Sequence, residues 1–357
     1  MKVAVGLSGG VDSAVSALLL KEAGHEVVGI TMKLWDGKYQ GGERDACFGK
    51  GEAEDIAAAE RFAAELGIPY RVFDCCKEYD QKIFAYFRKT YLSGQTPNPC
   101  VFCNRLMKFG LLPELARASG LEFDRFATGH YARVEFDEKT GRYGLLRAVD
   151  TGKDQSYFLY RLTQEQLARH LFPMGTLTKA EVRRIAHAHN LPMADKPDSQ
   201  DFYSGDVAEL LGASDREGEI VTLDGKVLGR HRGFWHYTVG QRKGLGIGGG
   251  RPYYVVDLDA CKNRVIVGFE DDAKKTSLKC TDLNWVGLAP LKPGEHRECT
   301  LKVRSAGVPK GPASITMADD GETLLAEFPL GIAGVAPGQS AVFYSGDLIL
   351  AGGVIGN

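Results

Sequence analysis

A short apolar run without polar alternation stands at residues 3–5, and further strands are predicted at 25–32, 70–74 and 123–127. Such runs are typical of strands that are buried on both faces of a parallel sheet. Between them, segments 14–23, 52–66 and 79–92 have the spacing of helices, and Gly24 and Gly67 follow the first two. The alternation predicts βαβ units, and therefore an α/β domain built on a parallel sheet.

The pattern changes after residue 205, where a short helix predicted at 206–212 is followed by short alternating segments. A hairpin around Asp224 and Gly225 and two strands at 252–257 and 264–269 predict a small β-rich domain. Further alternating segments, separated by Gly, Pro and Asp turns, predict an antiparallel β-barrel at the C-terminus. We therefore expect three domains, at residues 1–205, 206–272 and 273–357.

The composition is that of an ordinary globular protein: 357 residues, 25% charged and 44% hydrophobic, with a net charge of -2. This charge neither indicates nor excludes a nucleic-acid partner, because a local basic surface can be hidden in the total. We expect no membrane span, since no long apolar run occurs. The chain starts directly with a strand, so we expect no export signal and a cytoplasmic protein. The eight cysteines then indicate metal binding or catalysis rather than disulfides.

A glycine-rich turn joins the first predicted strand to the first helix, and its residues are Gly6, Leu7, Ser8, Gly9, Gly10, Val11, Asp12 and Ser13. Such a turn exposes backbone N–H groups and the positive end of a helix dipole, usually to a phosphate. It lacks the lysine of a Walker A loop and the spacing of a dinucleotide fingerprint. The hexapeptide SGGVDS resembles the pyrophosphate loop of N-type ATP pyrophosphatases, which adenylate a carbonyl oxygen. The alternative is a turn that only lets strand and helix pack.

Two cysteines, Cys100 and Cys103, follow a proline-rich lead-in in the segment TPNPCVFCNR. We expect Cys103 to stand where the next helix begins, with Arg105 and Lys108 near it in sequence. The helix dipole and nearby cations favour a thiolate, the form that attacks or binds metal. The pair alone is compatible with half a zinc site, a redox pair, iron–sulfur ligands or two ordinary buried cysteines.

His130 follows Gly129 at the carboxyl end of the strand predicted at 123–127, the edge where ligands bind in open α/β sheets. A lone histidine is more often structural, and at this position both interpretations remain open. A hairpin predicted at 131–136 and 142–147 leads into the charged run at 152–156, which would ordinarily be a solvated turn.

Five motifs, SGGVDS, TPNPCVFCNRLMKFG, ATGHYAR, KDQSYFLYRL and YTVGQRKGLGI, occur in one order. Together they resemble the tRNA-specific 2-thiouridylases, or tRNA uridine 2-sulfurtransferases, of the PP-loop superfamily. The resemblance covers nearly the whole chain. It implies a parallel-sheet domain like the adenine-nucleotide alpha hydrolases, a small β-rich linking domain and a C-terminal antiparallel β-barrel. It also implies ATP-dependent thiolation of the wobble uridine at C2, with Mg²⁺ as cofactor and tRNA as partner.

The resemblance also implies roles for individual residues. The loop from Gly6 to Ser13 would bind ATP, Asp12 would bind magnesium or organise the loop, and Cys103 would be the catalytic thiol. The adenosine would be contacted by Met32 and Gly129. Contacts with the tRNA or its target base are implied for Asn98, Pro99, Cys100, His130, Lys153, Asp154, Gln155, Arg304 and Gln339. The sulfur donor would be a cysteine desulfurase, a relay protein or free sulfide.

One position departs from the family pattern. The segment KPDSQDFYSG has Tyr203 where K-x-D-S-x-x-x-C-F places the second cysteine of the sulfur relay. Cys100 could instead partner Cys103, or a thiol could come from Cys47, Cys75 or Cys76. A third possibility is a four-iron–four-sulfur cluster, held by Cys100, Cys103 and one of those three. We favour the cluster slightly, because soft thiolates suit it.

Other functions remain open at this stage. The chain could be a paralogue that binds tRNA or ATP without thiolating, or one that thiolates another substrate, because of Tyr203. A small-molecule ligase with the same loop would leave the C-x-x-C pair and the barrel unexplained. A non-catalytic RNA-binding protein would bind tRNA without consuming ATP. Arg242 and Lys243 could meet the phosphate backbone or form a solvated basic turn.

Overall fold

The computed structural model describes residues 1–39, 49–198, 202–203, 205–248 and 250–356. They form two compact units. The first unit comprises Met1–Ile83, Cys100–Gly205 and Asp347–Ile349, and the second comprises Phe84–Pro99, Asp206–Gly346 and Leu350–Asn357. Within the described ranges, no helix has both the length and the apolar character that crossing a bilayer requires.

The first half of the chain alternates strands and helices, as the sequence predicts. The elements up to residue 118 are β1 (Lys2–Gly6), α1 (Val11–Glu22), β2 (Glu26–Lys33), α2 (Glu52–Leu66), β3 (Tyr70–Asp74), α3 (Cys76–Tyr79), a π-helical turn (Asp80–Phe84), α4 (Ala85–Leu92), α5 (Pro99–Cys103), a second π-helical segment (Asn104–Leu111) and α6 (Leu112–Ala118). Then follow β4 (Arg125–Ala127), β5 (Ala132–Asp137), β6 (Arg142–Arg147), α7 (Ser156–Leu159), α8 (Gln164–Arg169), β7 (His170–Leu171), a 3-10 turn (Pro173–Thr176) and α9 (Lys179–Ala188).

The first unit is organised around a five-stranded sheet in the order β3-β2-β1-β4-β7, in which every neighbouring pair is parallel. Val3, Ala4 and Val5 of the central strand are fully buried, which explains why their run lacks polar alternation. The order reverses at β1, because β2 pairs on one side of it and β4 on the other. The predicted parallel sheet is confirmed, and its reversal creates a crevice between the carboxyl ends of β1 and β4.

The helix that carries the C-x-x-C pair begins earlier than predicted. It starts at Pro99, so the expectation that Cys103 stands at its beginning is wrong. Proline is favoured in the first helical turn, because its missing N–H would have no intrahelical partner there. The helix continues into the π-helical segment, where Gln166 donates to the backbone oxygens of Arg105 and Phe109, both at 3.0 Å. This amide satisfies carbonyl groups that a π-helical register leaves without their usual partners.

The second unit contains two β-structures, helix α4, the short helix α10 (Val207–Leu211) and a 3-10 turn (Phe234–His236). A four-stranded sheet has the order β10-β11-β8-β9, built from β8 (Gly218–Thr222), β9 (Val227–His231), β10 (Tyr254–Asp259) and β11 (Arg264–Gly268). Six further strands follow: β12 (Lys274–Trp285), β13 (His296–Lys302), β14 (Lys310–Met317), β15 (Leu324–Ala333), β16 (Ser340–Ser345) and β17 (Leu348–Ile355). Pairing between β12 and β17 closes these six into the predicted antiparallel barrel.

Segment 84–99 belongs to the second unit and is tied to the barrel by hydrogen bonds. Thr96 N donates to Pro337 O at 2.8 Å, and Gln339 Nε2 donates to Pro97 O at 2.9 Å. Gly338 lies so close that a Cβ there would be 2.9 Å from Thr96 O and from the Cβ of Gln95. The lead-in to Cys100 is therefore fixed by residues near the C-terminus.

Candidate active site

The glycine-rich loop lies at the carboxyl end of β1 and is closed by Ser13. The Ser13 hydroxyl accepts from Ser8 N at 3.2 Å and donates to Gly10 O at 3.0 Å. Gly10 stands at the N-cap of α1 and has no side chain to satisfy the first N–H groups of the helix. Those donors and the helix dipole suit an anion at the reversal point of the sheet, and the ATP contacts predicted for the loop stay predictions.

Two glycines let other segments approach this loop closely. Gly9 has φ +71°, and a Cβ there would lie 2.6 Å from Asp55 O in α2. A Cβ at Gly129 would lie 2.7 Å from both Asp12 C and Ser13 N. Gly129 follows β4, so the segment after β4 lies directly against the backbone of the first turn of α1. Any side chain at position 129 would collide with the first turn of α1.

Asp12 is held by two donors rather than pointing at an open site. Its Oδ1 accepts from Tyr131 OH at 2.7 Å, and its two oxygens lie 2.8 and 2.9 Å from Lys179 Nζ. Burial and the Asp12 carboxylate raise the pKa of Tyr131 far above its ordinary value, so the phenol keeps its proton. Of the two roles predicted for Asp12, this geometry favours the loop organiser over the magnesium ligand.

A chain of alternating charges extends from Asp12. Lys179 Nζ also lies 2.6 Å from Asp198 Oδ1, and Lys153 Nζ lies 2.7 Å from Asp198 Oδ2. Burial pushes the pKa of Asp198 upward, but hydrogen bonds from Lys153 and Lys179 outweigh it and hold the pKa below its usual range. Asp198 is therefore ionised at neutral pH and binds both ammonium groups.

The other residues predicted after β4 have structural partners. His130 Nδ1 lies 2.8 Å from Thr128 Oγ1, and burial lowers the pKa of His130 well below its ordinary value, so its ring is neutral. The Asp154 carboxylate accepts from Ala148 N at 3.1 Å and from Ser156 at 3.1 and 3.2 Å. Gln155 Oε1 accepts from Tyr131 N at 3.0 Å. These contacts shape the wall of the crevice, and the predicted tRNA contacts remain predictions.

The predicted adenosine contact Met32 is half-buried near the end of β2, in register with Phe73 of β3. Leu7 is buried and donates its N–H to Ile30 O at 2.9 Å, which fixes the loop against β2. A Cβ at Gly6 would lie 3.2 Å from the Phe126 ring. The loop is thus packed on both sides by the strands that flank β1.

The predicted barrel-side contacts lie in the second unit. Asn98 is buried, and its Nδ2 donates to Gln339 Oε1 at 3.2 Å, so these two predicted tRNA contacts bind each other. Pro99 is buried at the start of α5, and Arg304 is exposed in the turn after β13. Arg304 is the one charged residue of these four, and its side chain is accessible to a phosphate.

Cys103 is buried in α5, whereas Cys100 in the same helix is half-buried. Burial raises the pKa of Cys75 to about 12, and burial with a hydrogen bond to Asp74 raises that of Cys76 to about 12. Both are therefore protonated thiols at neutral pH and are poor nucleophiles or ligands. Cys47 lies outside the described residues.

Among the described residues, which do not include Cys47, no three His, Cys, Asp or Glu side chains are grouped so as to hold a metal ion. The iron–sulfur cluster stays a prediction. Tyr203, at the position of the family's second cysteine, lies against Gly205, where a Cβ would be 2.5 Å from its hydroxyl.

Sequence reasoning missed Lys179, Tyr131 and Asp198 as members of the site. A signal for α9 was visible, because Thr178 and Glu181 form a capping box around Lys179. That motif marks a helix start, however, and says nothing about an ammonium group that reaches a carboxylate 167 residues away.

Three family models match consecutive parts of the chain: a tRNA methyl transferase HUP domain at residues 1–203, a tRNA methyl transferase PRC-barrel domain at 207–269 and an aminomethyltransferase beta-barrel domain at 275–355. The chain is 46% identical over 360 residues to the tRNA-specific 2-thiouridylase MnmA of Endomicrobium trichonymphae, with 99% of both chains covered. It is 47% identical over 360 residues to the protein of the same name from Chloroflexus aggregans, covering 99% of this chain and 98% of that one. For Gloeothece citriformis the identity is 45% over 360 residues, with 99% of both chains covered.

Proposed function

The chain belongs to the tRNA-specific 2-thiouridylase family and is a tRNA sulfurtransferase, and from this premise we propose that it thiolates C2 of the wobble uridine after adenylating that base with ATP. The observation that carries the proposal is the glycine-rich loop at the sheet reversal, where α1 presents N–H groups without a side-chain cap. An ATP phosphate chain is the ligand that such a site suits best.

Adenylation turns the C2 oxygen into part of a good leaving group. The oxygen attacks the α-phosphorus of ATP, and pyrophosphate leaves with the electron pair of the broken P–O bond. The N-terminal N–H groups of α1 stabilise the charge that grows on pyrophosphate. Mg²⁺ bound to ATP would neutralise part of the same charge. The target base must leave its stack to reach the crevice.

We assign the sulfur step to Cys103 and Cys100. A persulfide on Cys103, loaded by a desulfurase, a relay protein or sulfide with an oxidant, attacks C2, and AMP departs. The Cys100 thiolate then attacks Cys103 Sγ and breaks the S–S bond, which leaves sulfur on the base and a disulfide that a cellular thiol must reduce. Residues three apart on a helix are neighbours, and the raised pKa values of Cys75 and Cys76 favour Cys100 as the partner.

The test uses the full chain purified without oxygen, incubated with unmodified tRNA, ATP, Mg²⁺, a cysteine desulfurase and cysteine. Digested tRNA is analysed for 2-thiouridine by mass spectrometry. We expect the product with the wild type and with the control Cys261→Ser, whose cysteine is exposed in the second unit, but not with Cys103→Ser. A wild type that binds tRNA yet forms no 2-thiouridine would overturn the proposal and favour a paralogue altered at Tyr203. If the wild type contains stoichiometric iron and Cys100→Ser loses it, the result would support an iron–sulfur cluster instead of the thiol pair.

A further inference from the structure

Lys179 occupies a position that is unfavourable for a cation. It is the first residue of α9, at the positive end of the helix dipole, and its side chain is 11% exposed. Burial of a charge costs stability unless partners compensate for it, and here two carboxylates and the face of the Tyr131 ring do so. A residue placed against local preference is often retained for function.

The partners of Lys179 are arranged so that it can leave either of them. If the Lys179 ammonium moves away, Asp12 still accepts the hydrogen bond from the Tyr131 hydroxyl at 2.7 Å. Asp198 likewise retains its ion pair with Lys153 at 2.7 Å. An ordinary buried ion pair lacks such second partners, because removal of one partner leaves the other charge buried and unpaired. The network therefore permits Lys179 to exchange a carboxylate for another anion at low cost.

The nearest anion site is the glycine-rich loop itself. Asp12 lies in the first turn of α1, so Lys179 Nζ, 2.8 Å from its carboxylate, is next to the helix N-terminus. The backbone of α9 does not need the lysine ammonium, because Lys179 N donates to Asp150 Oδ2 at 2.9 Å and Thr178 caps the helix.

Building on the proposed ATP site, we propose that Lys179 is the residue that binds the pyrophosphate portion of ATP. Its ammonium group passes from Asp12 and Asp198 to non-bridging oxygens of the β- and γ-phosphates. As the bond between the α-phosphorus and the bridging oxygen breaks, negative charge grows on pyrophosphate and the contact with Lys179 strengthens. Contacts that strengthen in the transition state accelerate the chemical step more than they tighten ground-state binding.

The first experiment compares Lys179→Met, Lys179→Arg and the control Lys2→Met. Lys2 forms an exposed ion pair with Glu122 in the same unit. We expect Lys179→Met to slow single-turnover AMP formation by about 100-fold or more, and to weaken binding of inorganic pyrophosphate measured by calorimetry. Lys179→Arg should recover part of both, and Lys2→Met should match the wild type. A purely structural role would lower the melting temperature without changing pyrophosphate affinity in the folded protein, and that result would overturn the proposal.

A second experiment needs no variant. Adenosine diphosphopyridoxal carries an aldehyde where ATP carries its terminal phosphate, and borohydride fixes the imine that it forms with a nearby lysine. We expect the label on Lys179, with protection by ATP. ATP-protected labelling of Lys153 or Lys196 instead, or no protected label, would overturn the assignment. If the wild type makes 2-thiouridine while Lys179→Met keeps normal AMP formation, the role of Lys179 is refuted and the proposed function stands. If the wild type does not consume ATP in the presence of tRNA, the proposed function itself fails.

Discussion

Replacing Gly129 by alanine tests whether contact between the segment after β4 and the first turn of α1 sets the geometry of the glycine-rich loop. The new Cβ would lie 2.7 Å from Asp12 C and Ser13 N and 3.0 Å from Asp12 Cβ. Ordinary van der Waals contact begins near 3.4 Å, so α1 or the segment after β4 must move by about 0.7 Å. The obstructing atoms are mostly backbone, so a simple rotamer change cannot relieve the contact. Such overpacking costs about 1–3 kcal/mol of stability.

The expected loss of activity exceeds the loss of stability. A misplacement of about 1 Å at a reacting group can reduce a rate by about 100-fold. We expect Gly129→Ala to slow AMP formation with tRNA by about 10- to 100-fold at saturating ATP, while the protein stays folded at 25 °C. Single-turnover quench measurements with labelled ATP give the rate, and thermal unfolding gives the stability.

Gly51→Ala is the matched control, because a Cβ at Gly51 meets nothing within 4 Å and its backbone has φ -78°. We expect it to leave the rate unchanged and stability unchanged or slightly raised. If Gly129→Ala forms AMP within twofold of the wild type and melts at the same temperature, α1 is not fixed by this contact. That result would refute the inference that contact with Gly129 sets the geometry of the glycine-rich loop.

Three further outcomes are expected. Tyr131→Phe removes the 2.7 Å bond to Asp12 and should lower stability by about 1–3 kcal/mol in urea unfolding, because the bond goes to a charged group; an unchanged midpoint would contradict this. Burial lowers the pKa of His170 to about 4, so below pH 6.5 the unfolded chain binds a proton that the folded one does not. Stability should therefore fall by up to about 3 kcal/mol as the pH drops from 6.5 to 4, and His170→Gln should remove that part of the slope. Asp74→Asn should lower the pKa of Cys76 from about 12, because Asp74 accepts its hydrogen bond and repels the thiolate; iodoacetamide labelling at pH 8 should then become faster.

The parts of the fold that depend on local pattern could be predicted from sequence. The apolar run Val3–Val5 and the loop after it predict a buried strand, a turn and a helix start, and the structure has all three. The strand Tyr70–Asp74 and the helix Glu52–Leu66 have the predicted bounds. These elements follow from spacing and from glycines, which act over a few residues.

The parts that depend on distant partners could not be predicted. Lys179 and Asp12 are 167 residues apart in sequence, and nothing in either segment indicates their pairing. The sequence resemblance places both Asn98 and Gln339 at the substrate, and it does not indicate their mutual hydrogen bond, which spans 241 residues. The start of α5 is hard to predict for a local reason, because a proline such as Pro99 fits an extended lead-in as well as a first helical position.

The bond between Asn98 and Gln339 also has a consequence for biosynthesis. At about 5–20 residues per second, Gln339 is added some 12–50 s after Asn98. During that interval the two hydrogen bonds that join Gln339 to Pro97 and Asn98 cannot form. A chain released before the last barrel strands would lack these bonds, so the lead-in to Cys100 reaches its final hydrogen bonding only when translation is nearly complete.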